Sequence, residues 1–202
     1  MDRNTVIVAS KNFTLAYKIK LAIGDKHNII HIFPNMTKPT NQIIISSPQE
    51  KHLFDQQILI IHQNLSIITI RSLILKQLIC KPKFFKCFIG IDPGKSIGTA
   101  LLIEGEVITS NTFSSMRKLI IWISNKIKEI QYHQLVIRIG DGGGADRNYE
   151  ILNSIIKQFS EISVIELVNE VNTSVRRDGK IPIHEEAAIL IAKRSGKILN
   201  FK

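Results

Sequence analysis

Asp92 closes the apolar run Phe88-Ile89-Gly90-Ile91 and is followed by Pro93, Gly94 and, four residues on, Gly98. A buried strand that ends this way delivers one carboxylate to its C-terminal edge. Pro93 and Gly94 turn the backbone away, and Gly98 leaves room for a substrate or a neighbouring element to approach. The ordinary meaning of such a pattern is a polar strand end before a turn; the chemical meaning is a carboxylate presented at one fixed place. A second polar cluster, Asp141-Gly142-Gly143-Gly144-Ala145-Asp146-Arg147-Asn148, follows the apolar run Leu135 to Gly140 and precedes a helix-like segment. In that context backbone N–H groups at Gly142 and Gly143 can hold an anion, with Arg147 beside it. It lacks the Gly-Lys-Ser/Thr of a nucleotide-binding loop, and a flexible loop capped by Asp146 or Asn148 explains it equally well. Arg176 and Arg177 precede the last apolar segment, where they either contact a substrate or stand solvated.

These residues need elements to position them. Phe85 to Asp92 reads as a strand, Gly98 to Ile103 as another, and Glu104-Gly105 as the tight turn into a third, Glu106 to Phe113. Ser115 to Gln131 is amphipathic, with Leu119, Trp122, Ile123, Ile127 and Ile130 on one side. Strand Gln134 to Gly140, helix Asn148 to Phe159, strand Ser163 to Val168 and a helix from about Pro182 to Ser195 follow. The order is β-β-β-α-β-α-β-α, an antiparallel meander followed by parallel crossovers. On the last helix, at about 100° per residue, His184 shares a stripe with Ala188, Ile191, Ala192 and Ser195. Glu185 lies at the edge of that stripe and Glu186 on the opposite face, so His184 and Glu185 are expected to face the sheet. First-turn acids that complement the helix dipole are the simpler reading of Glu186.

Three segments together resemble the RNase H-like nucleases of the RuvC/YqgF kind over roughly residues 85–195. Phe88-Ile-Gly-Ile-Asp92-Pro93-Gly94 with Gly98 is similar to their opening strand, Ile165 to Ser174 to the YqgF strand that ends in Asp-Glu-Arg, and Ile183 to Ala192 to their closing helix. Asn169 and Val171 stand where the strand motif has Asp and Arg, and His184 stands where the closing helix has Asp. The resemblance implies an RNase H-like α/β fold with a mixed sheet and a metal-dependent nuclease using two Mg²⁺ or Mn²⁺ ions. It implies Asp92 as the bridging ligand, with Asp141 or Glu170 second and Glu185 on the closing helix. His184 joins the catalytic set, and Lys95, Gly142, Gly143, Arg147, Arg176 and Arg177 are the implied nucleic-acid contacts. The substrate would be branched DNA or structured RNA, and the resemblance leaves room for a homodimer. A binding module that has lost catalysis is the second reading. An ATP-binding protein like the sugar kinases and actin is the third, although those proteins normally need two such domains.

The rest of the chain bounds these readings. Residues 1–83 hold 11 Lys/Arg against 4 Asp/Glu, and residues 84–202 hold 16 against 13, so the excess of positive charge lies mainly outside the motif-bearing half. A net charge of +10 favours an anionic partner, though a solvated lysine surface is its commoner meaning. The first half alternates strands (Thr5–Ala9, 28–33, 42–46, 57–61) with a helix over 12–23, and 67–79 reads as a helix or as a strand plus helix. That predicts a small α/β domain over 1–83 with no catalytic constellation, and a boundary at Lys81-Pro82-Lys83. No apolar run reaches the roughly 20 residues of a membrane span. No signal peptide is expected, and Cys80 and Cys87 are too few for a disulfide framework, so a reduced, cytoplasmic protein is the expectation.

Overall fold

A computed structural model describes residues 5–24, 27–36, 42–78, 86–130, 132–142, 145–170 and 182–200, except for the side chains of 145–147. The chain divides into two compact units, Met1–Pro82 and Lys83–Lys202. Cys80 and Lys81-Pro82-Lys83 lie outside the described residues. No helix among the described residues is long and apolar enough to cross a membrane.

The N-terminal unit runs β1 (Thr5–Ala9), α1 (Phe13–Ile23), β2 (Asn28–Ile32), β3 (Ile43–Ser46), β4 (Leu59–Ile60) and α2 (Ile67–Leu78). Its four strands are parallel in the order β2-β1-β3-β4. An unbroken apolar strand is what a central parallel position demands, and β1 is buried along its whole length. Helix α1 starts where the Asn12 side chain accepts the Leu15 N–H at 3.0 Å, and it stops at Gly24, whose φ of 64° suits glycine. Leu15, Ile19, Ala22 and Ile23 of α1 join Ile70 and Ile74 of α2 over Val6, Val8, Ile45 and Ile61. The segment after Ser66 is therefore a single helix, because Ile70 and Ile74 recur at the helical spacing and bury together.

Glu50 ties this unit together at the carboxyl edge of its sheet. The Ser10 and Ser47 hydroxyls each donate to Oε2 at 2.6 Å, the Lys11 N–H donates to Oε1 at 2.7 Å, and Ser46 adds a longer bond at 3.3 Å. Burial works against the charged form, but the bonds from Ser10, Ser47, Lys11 and Ser46 outweigh it and hold the carboxyl below its usual range. A carboxyl whose folded pKa is depressed stabilises the fold above its unfolded pKa. That contribution is lost as pH falls through the folded value. Glu50→Ala is accordingly expected to cost about 2 kcal/mol at pH 7 in urea unfolding, the scale of hydrogen bonds to a charged group. The gap from the parent should close as pH drops below the ordinary carboxyl value of 4.5. A gap that does not change with pH would show that packing, not charge, is what Glu50 contributes.

The C-terminal unit runs β5 (Lys86–Asp92), β6 (Ile97–Ile103), β7 (Glu106–Phe113), α3 (Met116–Glu129), β8 (Gln134–Gly140), α4 (Ala145–Phe159), β9 (Val164–Val168), α5 (Ile183–Lys193) and β10 (Lys197–Ile198). Its six-stranded sheet has the order β10-β9-β8-β5-β6-β7. Strands β5, β8 and β9 are parallel, while β6, β7 and β10 run antiparallel to their neighbours, so the sheet is mixed. Glu104 and Gly105 take φ of 49° and 86°, the positive values that a two-residue hairpin turn requires at both positions. Helix α4 begins at Ala145, three residues before the expected Asn148. Helix α5 ends at Lys193, and β10 follows it. A two-residue exposed strand carries no periodicity of its own; it exists because the free edge of β9 supplies its partners.

Helix α5 lies unusually close to β5 and β6. A β-carbon on Gly90 would fall inside the contact distance of the Ala188 carbonyl oxygen, and one on Gly98 would do the same at the His184 carbonyl. Ala188 and Ala192 complete the small-residue contact, packing with Ala100, Leu102 and Ile189. At the far end of α5, Arg138 of β8 donates from Nη1 to the Ala192 carbonyl at 2.7 Å and from Nε to Glu166 of β9 at 2.8 Å. Its guanidinium stacks 4.3 Å over the Phe88 ring. This buried arginine satisfies a last-turn carbonyl that the helix itself cannot.

Candidate functional site

Three parallel strands end side by side. Ile91 pairs with Ile139 and Gly140 with Val168, so Asp92, Asp141 and Glu170 leave the sheet at one edge, from β5, β8 and β9. The carboxyl ends of strands in an open α/β sheet are where ligands usually sit.

The Asp92 side chain is only 13% exposed. Burial raises its carboxyl above the usual range. The His184 Nδ1–H, which donates to Oδ2 at 3.2 Å, and the His184 charge pull in the other direction without cancelling it. Glu170 is raised as well: by burial first, then by the charge of Asp92, and to a smaller extent by Asp141, against a lowering hydrogen bond from the Gly142 N–H. Its own backbone N–H donates to Asp141 Oδ1 at 3.0 Å. Gly140 and Gly142 make space for this carboxylate, since a β-carbon on either would collide with its oxygens. Asn148 steadies the turn by donating from Nδ2 to the Gly142 carbonyl at 2.6 Å.

Not every expected partner arrives. Glu185 turns to β7, where its carboxylate accepts from the Ser110 hydroxyl and, at 3.3 Å, from Thr112. Asp92 pairs with Gly98 and Gly98 with Thr112, which puts those hydroxyls two strands away from Asp92, roughly 10 Å at normal strand spacing. His184 therefore reaches Asp92, and its neighbour Glu185 does not join the cluster. Glu186 is half-buried rather than fully solvated. Lys95 is exposed in the turn after Asp92. The Gly142 N–H, expected to meet a phosphate, is directed to Glu170. Gly143, Arg176 and Arg177 lie outside the described residues, as does the side chain of Arg147. Cys87 is buried, with its thiol pushed up to about 12 by burial, and takes no part.

Sequence reasoning passed over Arg138, Ser110, Thr112 and the cradle formed by Gly140 and Gly142. A signal for Arg138 was available, since it is the one charge inside the apolar run Leu135 to Ile139. The other residues carried none, because their importance depends on what another element places against them.

The donor set suits a hard cation. Asp92, Glu170 and Asp141 offer carboxylate oxygens, and the charge that raises Glu170 is the charge a cation would neutralise. Among the described residues, no three His, Cys, Asp or Glu side chains are grouped to hold an ion on their own. A cation held here would need water or substrate oxygens to complete its shell.

Fold and site thus define a mixed α/β protein with a cluster of repelling carboxylates at the carboxyl edge of its larger sheet. No protein-family model matches the chain, and no curated protein matches it in sequence. Among solved structures it is weakly similar to T. thermophilus RuvC in complex with Holliday junction substrate, at 10% identity over 52% of this chain and 90% of that one, with a TM-score of 0.39.

Proposed function

We propose that the C-terminal unit is a metal-dependent nuclease, with Asp92 and Glu170 holding Mg²⁺ or Mn²⁺ and Asp141 beside them. The observation that supports this reading is the convergence of three strand-end acids: Asp92, Asp141 and Glu170 follow β5, β8 and β9 side by side, and Glu170 is raised first by burial and then by the charges of Asp92 and Asp141. A fold keeps such an arrangement at a cost to its own stability, and a cation relieves it. When bound, the ion would supply an activated water and offset charge on the phosphate. His184 holds one oxygen of Asp92 and so fixes the direction of the other. The Gly142 N–H and the Gly140 cradle fix Glu170 in the same way. Glu185 is bonded to Ser110 and Thr112 on β7, so in this reading the second ion implied by the resemblance would draw on other groups.

The test is incubation of the purified chain with Mg²⁺ or Mn²⁺ and either a four-way DNA junction or a structured RNA. Products that vanish with chelator support the reading. A nucleic-acid-binding module without catalysis is the second reading, favoured by the His184 bond that occupies Asp92 Oδ2. Intact substrates together with salt-sensitive binding would establish it instead.

Gly140→Ala separates site from scaffold. The added methyl meets the end of the Glu170 side chain and not backbone, so the fold accommodates it while the carboxylate is displaced. Cleavage is expected to fall about 10–100-fold, the usual effect of disturbing groups that orient metal ligands, with the melting temperature nearly unchanged. Full activity in this variant would remove Glu170 from the site.

A further inference from the structure

Helix α1 carries an exposed face that the N-terminal unit leaves uncovered. Phe13 and Tyr17, four residues apart, are 66% and 62% exposed, and Leu21 continues the stripe at 48%. At 100° per residue Lys20 falls on the same face, and it is exposed as well. The inner face of the helix, with Leu15, Ile19, Ala22 and Ile23, is already packed in the core, and the aromatic rings outside are not part of it. The Phe13 ring is nevertheless held in place. His31 of β2 meets it edge-on, with centroids 5.3 Å apart and planes at 89°, and is itself fixed by a hydrogen bond of 2.8 Å between Nε2 and the Ser10 carbonyl.

Along the helix itself the charge has one sign. Residues 11–24 contain three lysines and no acid, and residues 1–82 hold 10 Lys/Arg against 4 Asp/Glu. Lys18 is turned inward to the Gln63 carbonyl, which leaves Lys11 and Lys20 at the surface. Glu50, which follows β3 and reaches the nearby β1–α1 loop through its bond to the Lys11 N–H, is enclosed by hydrogen bonds. Neighbouring exposed rings on a basic helix fit a ligand that offers both flat apolar faces and negative charge. An uncharged apolar protein surface would match the rings but gain nothing from the lysines. Bases with phosphates match both, since base–aromatic stacking tolerates any sequence and lysines track the backbone.

We propose that the face formed by Phe13, Tyr17 and Lys20 binds single-stranded nucleic acid, with Phe13 and Tyr17 as stacking platforms and Lys20 and Lys11 as phosphate contacts. The proposal stands on the N-terminal unit alone and does not require the carboxylate site to cleave. A ring already fixed by His31 loses little freedom when a base settles on it, which favours stacking there.

The experiment measures fluorescence anisotropy of a labelled single-stranded oligonucleotide, DNA and RNA in turn, with the full chain in excess chelator, so that cleavage does not enter. The parent is expected to bind. The Phe13→Ala/Tyr17→Ala double variant should bind at least about tenfold more weakly, with the same dependence on salt. Tyr17→Phe, which keeps the ring, should bind like the parent. Lys20→Gln should lower the salt slope by about 0.7, the loss of one phosphate contact to a single strand. An abasic strand of equal length should bind the parent no better than the normal strand binds the double variant. Circular dichroism melting confirms that the variants are folded; the shift is expected to be small, because the three side chains are largely exposed and only the Phe13–His31 ring contact is lost. The proposal is overturned if the parent does not bind, if the double variant binds as the parent does, or if the abasic strand binds as tightly as the normal one. The first of these results would assign the face to a different kind of partner.

Discussion

Asp92→Asn is expected to abolish metal-dependent cleavage, by about 10³-fold or more, and at the same time to raise the melting temperature of the metal-free protein at neutral pH. The loss of activity follows from removing a charge aimed at the reacting centre, where one stabilising group in a sheltered site is worth that much. The gain in stability follows from the sign of the pKa shifts. Asp92 is raised by burial, and Glu170 is raised by burial and by Asp92. A carboxyl with a raised folded pKa supports the fold fully below its unfolded pKa, and that support is lost as pH rises through the folded value. At pH 7 both groups therefore work against the fold, and neutralising one relieves the other. The stabilisation should fade in acid, where the parent carboxyls are protonated too, and should shrink when Mg²⁺ is added to the parent. Thermal melts across pH, run beside the cleavage assay, read both effects. A variant that loses activity and stability together would make Asp92 a structural residue, held by His184 for the sake of packing.

Gly90→Ala and Gly98→Ala are expected to be the most destabilising single methyl additions in the C-terminal unit. A β-carbon at Gly90 meets the Ala188 carbonyl, the Ala192 N–H and the Ala192 β-carbon, and one at Gly98 meets the His184 carbonyl. These obstacles are almost all backbone of α5, so no side-chain rotation can clear them. The whole helix must lift. Overpacking of this kind costs about 3 kcal/mol or more, a fall of roughly 10 °C in melting temperature for a domain of this size. Gly98→Ala should also take His184 away from Asp92, because it acts at the first turn of the helix. Gly105→Ala provides the contrast. Nothing lies within 4 Å of its added carbon, and its φ of 86° leaves only backbone strain of about 1–2 kcal/mol. If Gly90→Ala and Gly105→Ala melt at the same temperature, close approach of α5 is not what those glycines serve.

The elements were largely legible in the sequence, for local reasons. The buried run before Asp92, the Glu104-Gly105 turn and the helical repeat of Leu119 and Ile123 each report on a few neighbouring residues, and each has its counterpart in β5, the β6–β7 turn and α3. Asp92 at the end of its strand was legible for the same reason. The partners of Asp92 were not. On a helical wheel, His184 and Glu185 both turn toward the sheet, and the wheel cannot say over which strand each one lands. That was decided by how far α5 settles on Gly90 and Gly98, which sends His184 to β5 and Glu185 to the hydroxyls of β7.

The two candidates for the second carboxylate were equivalent in sequence as well, each an acid after an apolar strand. The tertiary structure puts both at one edge and distinguishes them: Asp141 accepts the Glu170 N–H, while Glu170 lies in a glycine cradle and feels the charge of Asp92. The sequence by itself determined most of the strands and helices and the presence of acids at strand ends, because hydrophobic period and turn chemistry act over a few residues; β10, which carries no period, was not among them. Only the tertiary structure decided which acids share a field, because that depends on strand order and on the depth of one helix, set by contacts between residues up to about 90 positions apart, as in the bond between Asp92 and His184.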